Sequence, residues 1–599
     1  MFQLNDYRRV WVADFEYWTG ASGNEPPRPI CFVAKDVLSG KVIRQWLWEE
    51  VEEPPCLITT DEDSLYVSFV GSAEINCHRQ LGWPIPARLI DLHAEHRRLR
   101  YGVERERTEL EKQTLKKNEK YSLLAAMHAW GLGVHAISAG FKEEMHQLCA
   151  EGGPFTDRES EVLDYCQSDV TMTELLLKEM WPLLGEEKTL GACLFRGRYV
   201  STAVSELETY GIPVDKPLLD RLIQNWNPIV DLVIAKEQHR FDIIGHRDVD
   251  QAKFATWLAE NNYTRWPRTK TGGFSTDSDE LKEIGKHVPL VEELRNYLSV
   301  VRKTRILKKL GIGADGRVRV MTGTFGSITG RNQPSSSQGI WGGATWIRSL
   351  IRPEPGHALW YCDFSGQELA IAACFSNDAR LLEDYATGDP YMAAAKRFGL
   401  VPQRATKKDP EFSAVRGRMK VAVGLGVLYG GGARTVARSG DMTLNQAKHI
   451  LKLHQRTYPT FWEWRKNLIL HIRSGADFES PLRWTYRTSH KDKPTSISNW
   501  LMQTTGSDML RLATCSASER GLEIVAMVHD AIMIHCPIES MDADRDTLVD
   551  CMVEASAELL NGFKLRVDSD SVIYPDHYCD KRGESMWIRV MESLEEVEK

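Results

Sequence analysis

Two apolar, strand-like runs that each carry an aspartate constrain this chain more than any other feature of its sequence. Asp363 lies in A-L-W-Y-C-D-F-S-G-Q-E-L (358–369), and Asp530 lies in I-V-A-M-V-H-D-A-I-M-I (524–534). A lone carboxylate is costly to bury in such surroundings, so each acid is expected to have a cation or a partner. Two carboxylates brought together from distant sequence are what a two-metal phosphoryl-transfer site requires. Mg²⁺ suits such a site because it takes few protein carboxylates and leaves room for substrate phosphates.

The length and composition indicate a multidomain globular protein. The chain has 599 residues, of which 42% are hydrophobic and 26% charged, and two to four domains are expected. No segment approaches the roughly 18 apolar residues of a membrane span, so no membrane partner is expected. The N-terminus has no apolar signal core, and the twelve cysteines form no C-x-x-C pair. These features predict a reducing, cytoplasmic location. The net charge of −8 does not by itself indicate nucleic acid.

The order of sequence patterns predicts an α/β unit followed by a longer, helix-rich unit. The first part of the chain alternates apolar and polar residues in strand-like runs and then mixes short strands with helices. Pro182 and Gly185 interrupt this pattern and predict a boundary near 186–195. Beyond it, strand-and-turn character returns at 317–365, and 366–475 is rich in helical periodicity.

Two basic segments are candidates for phosphate contact. Arg416 and Lys420 are four residues apart, so they share one face of a helix and could hold a triphosphate opposite the two aspartates. The second segment is V-R-K-T-R-I-L-K-K-L (301–310), for which a solvated helix face is the alternative to DNA contact. Its candidate DNA-binding residues are Arg302, Lys303 and Arg305.

Four motifs in the second unit resemble those of the polymerase domain of family A DNA polymerases. They are T-G-R (329–331), D-F-S-G-Q-E-L (363–369), R-x-x-x-K with a following Y-G (416–430), and V-H-D (528–530). Each motif alone is weak, but the four match in order and spacing across roughly 195–599. The resemblance implies an α+β right-hand fold. Its expected parts are a palm (about 195–279, 321–369 and 476–599), fingers (about 370–475) and a thumb (about 280–320).

The resemblance also implies roles for individual residues at the reacting end of the site. Asp363 and Asp530 would bind two Mg²⁺ ions, with the Phe364 carbonyl as a further ligand and Mn²⁺ as a substitute ion. Glu368 matches the residue that crowds a ribose 2′-hydroxyl, which predicts deoxynucleoside triphosphates as substrates. Arg416 and Lys420 would grip the phosphates, and Tyr429 would lie near the templating base.

A further set of positions matches residues that contact primer–template DNA in the family. The minor groove carries a degenerate set of acceptors, so contacts there test the shape of a base pair without reading its sequence. Asn499 and Gln503 are four residues apart and share one helix face. The residues expected to contact DNA in this region are Arg331, Gln338, Arg348, Asn499, Gln503 and His529.

The chain departs from the family pattern at three places. Ala531 stands where a second acid usually follows the aspartate, and Ala370 stands where an arginine is usual. Nine positions separate Lys420 from Tyr429 instead of the usual eight, which puts Gly424 where a larger side chain is expected. A bulge in the helix or an altered insertion pocket would account for this spacing. An altered pocket makes a preference for 2-aminoadenine nucleotides conceivable.

A second constellation lies in the N-terminal unit. Asp14 and Glu16 are two apart on a predicted strand and point to the same side, and Tyr165 and Asp169 are four apart on a predicted helix. Acids in this arrangement suit metal-assisted hydrolysis, in which a phenol orients the attacking water. The set resembles the 3′–5′ exonuclease of the same family, which implies an α/β, ribonuclease H-like domain over 1–190. Its metal ligands would be Asp14, Glu16 and Asp169.

The middle acid of the exonuclease motif is missing from its usual place. By register, the two positions of the N-x-x-x-D segment are Ala73 and Cys77. Glu74 and Asp91 are the candidate replacements, and Glu74 is favoured. The alternative is an exonuclease fold that has lost or changed its activity.

Together these features predict a template-directed DNA polymerase with a proofreading exonuclease, of the kind that replicates bacteriophage genomes. Its expected partners are primer–template DNA and deoxynucleoside triphosphates. A monomer is expected, and an accessory replication factor is possible. Asp14 lies near the N-terminus, which predicts no 5′-nuclease domain ahead of it.

Three alternatives stay open: an exonuclease whose polymerase half only binds DNA, a non-catalytic DNA-binding accessory protein, and an RNA polymerase or reverse transcriptase. Glu368 argues against ribonucleotide use.

Overall fold

A computed structural model gives the fold of most of the chain. Every helix in its described part is too short or too polar to span a bilayer. The described residues are 3–21, 23–48, 54–100, 121–132, 139–245, 248–285, 288–302, 307, 309–334, 339–440, 442–475, 477–487 and 494–599.

Within these residues, the strands fall into two main sheets and three short two-stranded ribbons. In chain order the strands are β1 (Arg9–Trp18), β2 (Arg28–Asp36), β3 (Val42–Trp46), β4 (Ser64–Ser68), β5 (Leu89–Asp91), β6 (Ile212–Pro213), β7 (Ile244–Gly245), β8 (Asp248–Val249), β9 (Arg317–Val318), β10 (His357–Phe364), β11 (Phe478–Glu479), β12 (Thr485–Tyr486), β13 (Glu523–Val528), β14 (Ala531–Pro537) and β15 (Val567–Ile573).

Helices make up most of the remaining regular structure. The α-helices are α1 (Gly71–Gln80), α2 (Leu92–Arg100), α3 (Leu123–Ala129), α4 (Ala139–Glu151), α5 (Glu159–Leu184), α6 (Glu187–Tyr199), α7 (Ser205–Tyr210), α8 (Lys216–Gln224), α9 (Trp226–Glu237), α10 (Gln251–Glu260), α11 (Ser278–Gly285), α12 (Pro289–Arg302), α13 (Gln367–Ser376), α14 (Ala379–Ala386), α15 (Pro390–Arg397), α16 (Pro410–Met419), α17 (Ala433–Ser439), α18 (Leu444–Thr457), α19 (Pro459–Arg473), α20 (Pro494–Glu519), α21 (Met541–Leu559) and α22 (Glu584–Glu598). Short 3₁₀ turns cover Leu4–Asp6, Ile340–Gly342 and Thr345–Leu350, and π-helical segments cover Val200–Val204 and Lys420–Val427.

The N-terminal sheet is mixed, with the order β3-β2-β1-β4-β5. The central strand β1 pairs antiparallel with β2 and parallel with β4. Its apolar residues Val10, Val12 and Phe15 are at most 3% exposed, because helices cover both faces of the sheet. This burial leaves the acids at the end of β1 facing α5, so the sheet brings strand and helix carboxylates together.

Helix α5 is longer than the sequence pattern predicts. Pro182 is expected to interrupt the helical pattern, but the helix continues through it and ends at Leu184. A proline inside a helix removes one backbone hydrogen bond. Packing compensates here, because Met180, Trp181 and Leu184 are all buried. Gly185 then ends the helix, and α6 begins two residues later.

A buried ion-pair network joins α6 to the N-terminal unit. The guanidinium of Arg196 and that of Arg98 both contact the carboxylate of Glu95, and all three side chains are at most 6% exposed. The same Arg196 donates to the carbonyl of Leu482, in the ribbon region of the second unit. Removing one member of such a buried set leaves an uncompensated charge, so the network fixes how these segments pack.

The second main sheet has the order β13-β14-β10-β15, and all its neighbouring strands are antiparallel. One face of β10, carrying Cys362 and Phe364, belongs to the core formed with α13, α20 and α21. The other face carries Leu359, Tyr361 and Asp363. The period of two along the strand therefore puts Asp363 on the opposite face from Cys362 and Phe364.

Two candidate active sites

Asp363 and Asp530 meet at one end of the second sheet, although they are far apart in sequence. Asp363 is paired with Ala531 at the end of β10, and Asp530 occupies the two-residue turn between β13 and β14. The amide of Phe364 donates to the Asp530 carbonyl over 3.3 Å, which fixes the turn against the strand. His529 in this turn has φ of +61°, a left-handed conformation that is uncommon for residues other than glycine and recurs at functional sites.

The electrostatics of this pair indicate a cation site. Burial, followed by repulsion from Asp530, raises the pKa of Asp363 to about 7. The Oδ1 atom of Asp363 is buried and has no hydrogen-bond partner among the described residues. An unsatisfied buried carboxylate oxygen beside a second carboxylate is costly unless a cation joins them. Paired oxygen donors of this kind suit Mg²⁺.

A connected set of polar side chains lies next to the aspartates. The carboxylate of Glu368, on α13, lies 3.4 Å from the Arg331 guanidinium and accepts a hydrogen bond from Tyr429. Burial raises the pKa of both Glu368 and Tyr429. Gln503, on α20, hydrogen-bonds the Tyr429 side chain, and Asn499 donates to the Tyr429 carbonyl over 3.2 Å. Five residues singled out from separate motifs therefore form one network.

The spacing between Lys420 and Tyr429 is explained by a π-helical segment. The helix that begins at Pro410 changes at Lys420 to π geometry, which continues to Val427. A π-bulge accommodates one extra residue within a helix, so the nine-residue spacing still brings Tyr429 to the site. Of the two explanations that the sequence left open, a bulge is present.

The space at Gly424 is occupied by a side chain from another helix. A Cβ atom added to Gly424 would lie 2.9 Å from Cε1 of Tyr391, a residue of α15. Burial raises the pKa of Tyr391, and Arg416 and Glu368 are close enough to affect it. The Tyr391 ring therefore lies against the helix at the position where a larger side chain was expected. Sequence reasoning missed Tyr391, since it belongs to none of the motifs.

The two predicted phosphate-binding cations differ in their present contacts. The Arg416 Nε atom lies 2.6 Å from Asp389, which also caps α15. Lys420 is exposed and lies close enough to Asp363 to lower the pKa of that carboxyl. Lys420 is therefore accessible to a triphosphate. A triphosphate that binds Arg416 would have to compete with the carboxylate of Asp389.

The remaining predicted DNA contacts receive uneven support. His529 is exposed beside Asp530. Arg348 pairs with Asp580 over 2.7 Å and donates to the Trp341 carbonyl, so its side chain is already held within the fold. Arg302 similarly contacts Asp248 and Thr276. The predicted residues that lie outside the described ranges are Lys303, Arg305 and Gln338.

Four carboxylates converge in the N-terminal unit. Asp14 and Glu16 project from β1, Asp169 from α5 and Glu74 from α1. Burial, followed by repulsion from Asp169, raises the pKa of Asp14 to about 8. Burial and repulsion from Asp14 also raise the pKa values of Glu16 and Glu74. Acids that raise one another's pKa values in this way form a candidate site for cations.

The structure distinguishes the two candidates for the middle acid. Asp91 accepts hydrogen bonds from the amides of Val70, His93 and Ala94, so it stabilises the start of α2. Glu74 has a buried Oε2 atom without a partner in the described part of the chain, and of the neighbouring charges Asp14 raises its pKa the most. Glu74 thus interacts with the acids of the cluster, and its role as the middle acid stays a prediction.

This cluster is also contacted by two side chains that the sequence analysis did not identify. The Lys142 Nζ atom lies 3.0 and 3.1 Å from the two carboxylate oxygens of Asp169, and 5.5 Å from the centre of the Tyr165 ring. The Cys166 thiol lies 3.4 Å from Oδ2 of Asp14. Potential ligand atoms of Asp14, Glu16 and Cys166 all lie within 4.8 Å of one another. A cavity of about 470 Å³ opens beside Glu16.

The comparisons with known proteins agree on one family. The model described as "DNA polymerase family A" matches residues 216–571, more than half of the chain. The chain is 24% identical over 381 residues to DNA polymerase I of Aquifex aeolicus, and the match covers 61% of this chain and 64% of that protein. It is also 24% identical over 220 residues to the DNA polymerase of Mycobacterium phage D29, covering 36% of this chain and 35% of that one. The chain therefore spans less than two thirds of the length of these relatives.

Among solved structures, the chain resembles the POL domain of Pol1 from M. smegmatis, determined in complex with DNA primer-template and dNTP. The TM-score is 0.67 at 16% identity, and the match covers 93% of this chain and 94% of the other. This likeness supports the predicted polymerase fold.

Proposed function

The chain belongs to DNA polymerase family A, and we propose that it is a template-directed DNA polymerase that extends a primer 3′ end with deoxynucleotides. The observation that carries the proposal is the meeting of Asp363 and Asp530 beside the Glu368–Tyr429 network. The relatives named DNA polymerase, one of them from a bacteriophage, support it. Replication of a phage genome is the role we propose.

The residues of the chain fit divalent metal ions, and each has a part in the proposed reaction. Asp363 and Asp530 would hold the ions, which supply Lewis-acid stabilisation to the attacking and leaving oxygens. Lys420, exposed beside the acids, offers a cation to the triphosphate. Glu368 is held by Arg331 and Tyr429, so its carboxylate forms a fixed wall against the sugar. Mg²⁺ is the proposed ion, because the donors are carboxylates.

The basic test is primer extension by the full chain on a primed template with all four deoxynucleotides and Mg²⁺. Extension should follow the template and disappear in EDTA. If the protein binds primer–template DNA but adds no nucleotide with Mg²⁺ or Mn²⁺, the alternative of an inactive, DNA-binding polymerase half is correct.

Replacing Glu368 with alanine is expected to relax the choice of sugar. Its buried carboxylate is fixed by two partners, so truncation opens space where a ribose 2′-hydroxyl would lie. A steric contact of this size discriminates by about 10–100-fold. The ratio of kcat/KM for ribonucleotides to that for deoxynucleotides should rise by this factor in single-nucleotide insertion. Glu383→Ala, at an exposed site on α14, is a control of matched chemistry that should leave the ratio unchanged.

We also propose a preference for 2-aminoadenine nucleotides, which the close packing of Tyr391 against Gly424 supports. The extra amino group adds a donor to the minor-groove side of an adenine–thymine pair. One added hydrogen bond is worth about 1 kcal/mol, or about fivefold in kcat/KM. We expect this advantage for the 2-aminoadenine deoxynucleotide opposite thymine. Equal use of the two nucleotides would remove the preference and leave the polymerase assignment intact.

We also propose a 3′–5′ exonuclease in the N-terminal unit. The observation that favours it is the convergence of Asp14, Glu16, Glu74 and Asp169, whose charges act on one another. Tyr165 lies beside these acids, where its hydroxyl could orient a water molecule. Removal of a mismatched 3′ nucleotide, measured without deoxynucleotides, tests this activity.

A further inference from the structure

The row of paired residues that crosses the second sheet at Asp363 contains one more acid. Asp363 lies opposite Ala531 on β14 and opposite Asp568 on β15. Directly opposed residues of antiparallel strands point to the same face, with Cβ atoms about 4.5–5.5 Å apart. Asp568 therefore lies on the same face of the sheet as Asp363. It belongs to β15, whereas Ala531 belongs to β14, the strand on the other flank of β10.

Exposure agrees with this placement. Asp568 is exposed, so solvent and substrate can reach its carboxylate. On the other flank of Asp363, Ala531 is fully buried and has no carboxylate to offer. The β10–β15 register therefore puts a second, solvent-exposed carboxylate directly beside Asp363 in this row.

We propose that Asp568 is the third carboxylate of the nucleotidyl-transfer site, supplied from β15 in place of the acid that is missing at Ala531. The inference rests on the proposed polymerase function. Asp568 would act as a positioning residue: its negative charge strengthens the cation site that Asp363 and Asp530 form, directly or through water. Three acids at one edge of the sheet repel one another until a cation joins them.

The test compares three variants of the full chain: Asp568→Asn, Asp568→Glu and Asp570→Asn. Asp570 is the matched control, because it is an exposed acid two residues along β15 and lies opposite Tyr361. All variants carry Asp14→Asn, so that the N-terminal acids contribute less to metal binding. The measurements are Mn²⁺ affinity by electron paramagnetic resonance, the Mg²⁺ concentration that gives half-maximal primer extension, and the unfolding temperature in EDTA.

Asp568→Asn should weaken Mn²⁺ binding and raise the half-maximal Mg²⁺ concentration by about tenfold or more, as changes around a metal site commonly do. Its unfolding temperature in EDTA should equal or exceed that of the parent, because a repulsive charge has been removed. Asp568→Glu should stay within about threefold of the parent, since it keeps the carboxylate. Asp570→Asn should match the parent.

The outcomes separate this inference from the proposed function. If the parent extends primers and Asp568→Asn behaves like Asp570→Asn, the third-carboxylate role is wrong and the polymerase assignment stands. If the parent extends no primer but Asp568→Asn still weakens Mn²⁺ binding selectively, the carboxylate belongs to the cation site and the polymerase function is wrong. A lowered unfolding temperature in EDTA for Asp568→Asn would overturn the proposed repulsion.

Discussion

Asp363→Asn is expected to lower the rate of primer extension by more than about 10³-fold. The substitution keeps the size of the side chain but removes the charge that would hold a divalent ion beside Asp530. A metal ion contributes several kcal/mol of charge stabilisation in the transition state, and each 1.36 kcal/mol corresponds to a tenfold change in rate. Single-turnover extension of a matched primer measures the effect, and Asp530→Asn should give a loss of similar size.

The direction of the stability change separates lost chemistry from lost folding. In the metal-free protein, burial and Asp530 raise the pKa of Asp363 to about 7, far above its ordinary value of 3.8. The raised pKa of Asp363 therefore destabilises the folded state, and this penalty grows as the pH rises from 3.8 to about 7 and stays constant above that. A neutral asparagine side chain would carry no such penalty, so Asp363→Asn should unfold in EDTA at pH 8 no earlier than the parent. A lower unfolding temperature together with lost extension would indicate misfolding, and near-normal extension would remove Asp363 from the site.

The sequence predicted those parts of the sites in which a short pattern determines geometry. Asp14 and Glu16 are two apart on a strand, and Asn499 and Gln503 are four apart on a helix, so spacing alone places each pair on one side. The irregular spacing before Tyr429 predicted either a bulge or an altered insertion pocket, and a π-helical segment is present there.

The parts that the sequence missed depend on contacts between distant segments. Asp568 lies in V-D-S-D-S-V-I, which by itself indicates a polar edge strand. That Asp568 lies beside Asp363 becomes known only from the β10–β15 register. Lys142 and Tyr391 belong to no motif and reach the sites through the packing of α4 and α15. The expected break at Pro182 failed for the same reason, because tertiary packing outweighs a local helix-breaking residue.

Asp14→Asn is expected to abolish removal of mismatched 3′ nucleotides, with a loss of more than about 10³-fold. Asp14 lies at the centre of the N-terminal cluster, since its charge raises the pKa values of both Glu16 and Glu74. Neutralising it removes a carboxylate that any cation in this cluster would contact. Extension of a matched primer should be unchanged, because that reaction is assigned to the other sheet. The measurement is degradation of a labelled mismatched primer terminus with Mg²⁺ or Mn²⁺.

Two further variants, Glu74→Gln and Asp91→Asn, test which of these acids takes part in the exonuclease reaction and which one stabilises the fold. Glu74→Gln should lower exonuclease activity strongly with little loss of stability, since its unsatisfied, buried carboxylate is costly in the metal-free protein. Asp91→Asn should lower the free energy of unfolding by about 1 kcal/mol, because it weakens the hydrogen bonds at the start of α2, while exonuclease activity persists. The opposite pattern would make Asp91 the middle acid. Full activity in Asp14→Asn would place the exonuclease elsewhere or indicate that the fold has lost it.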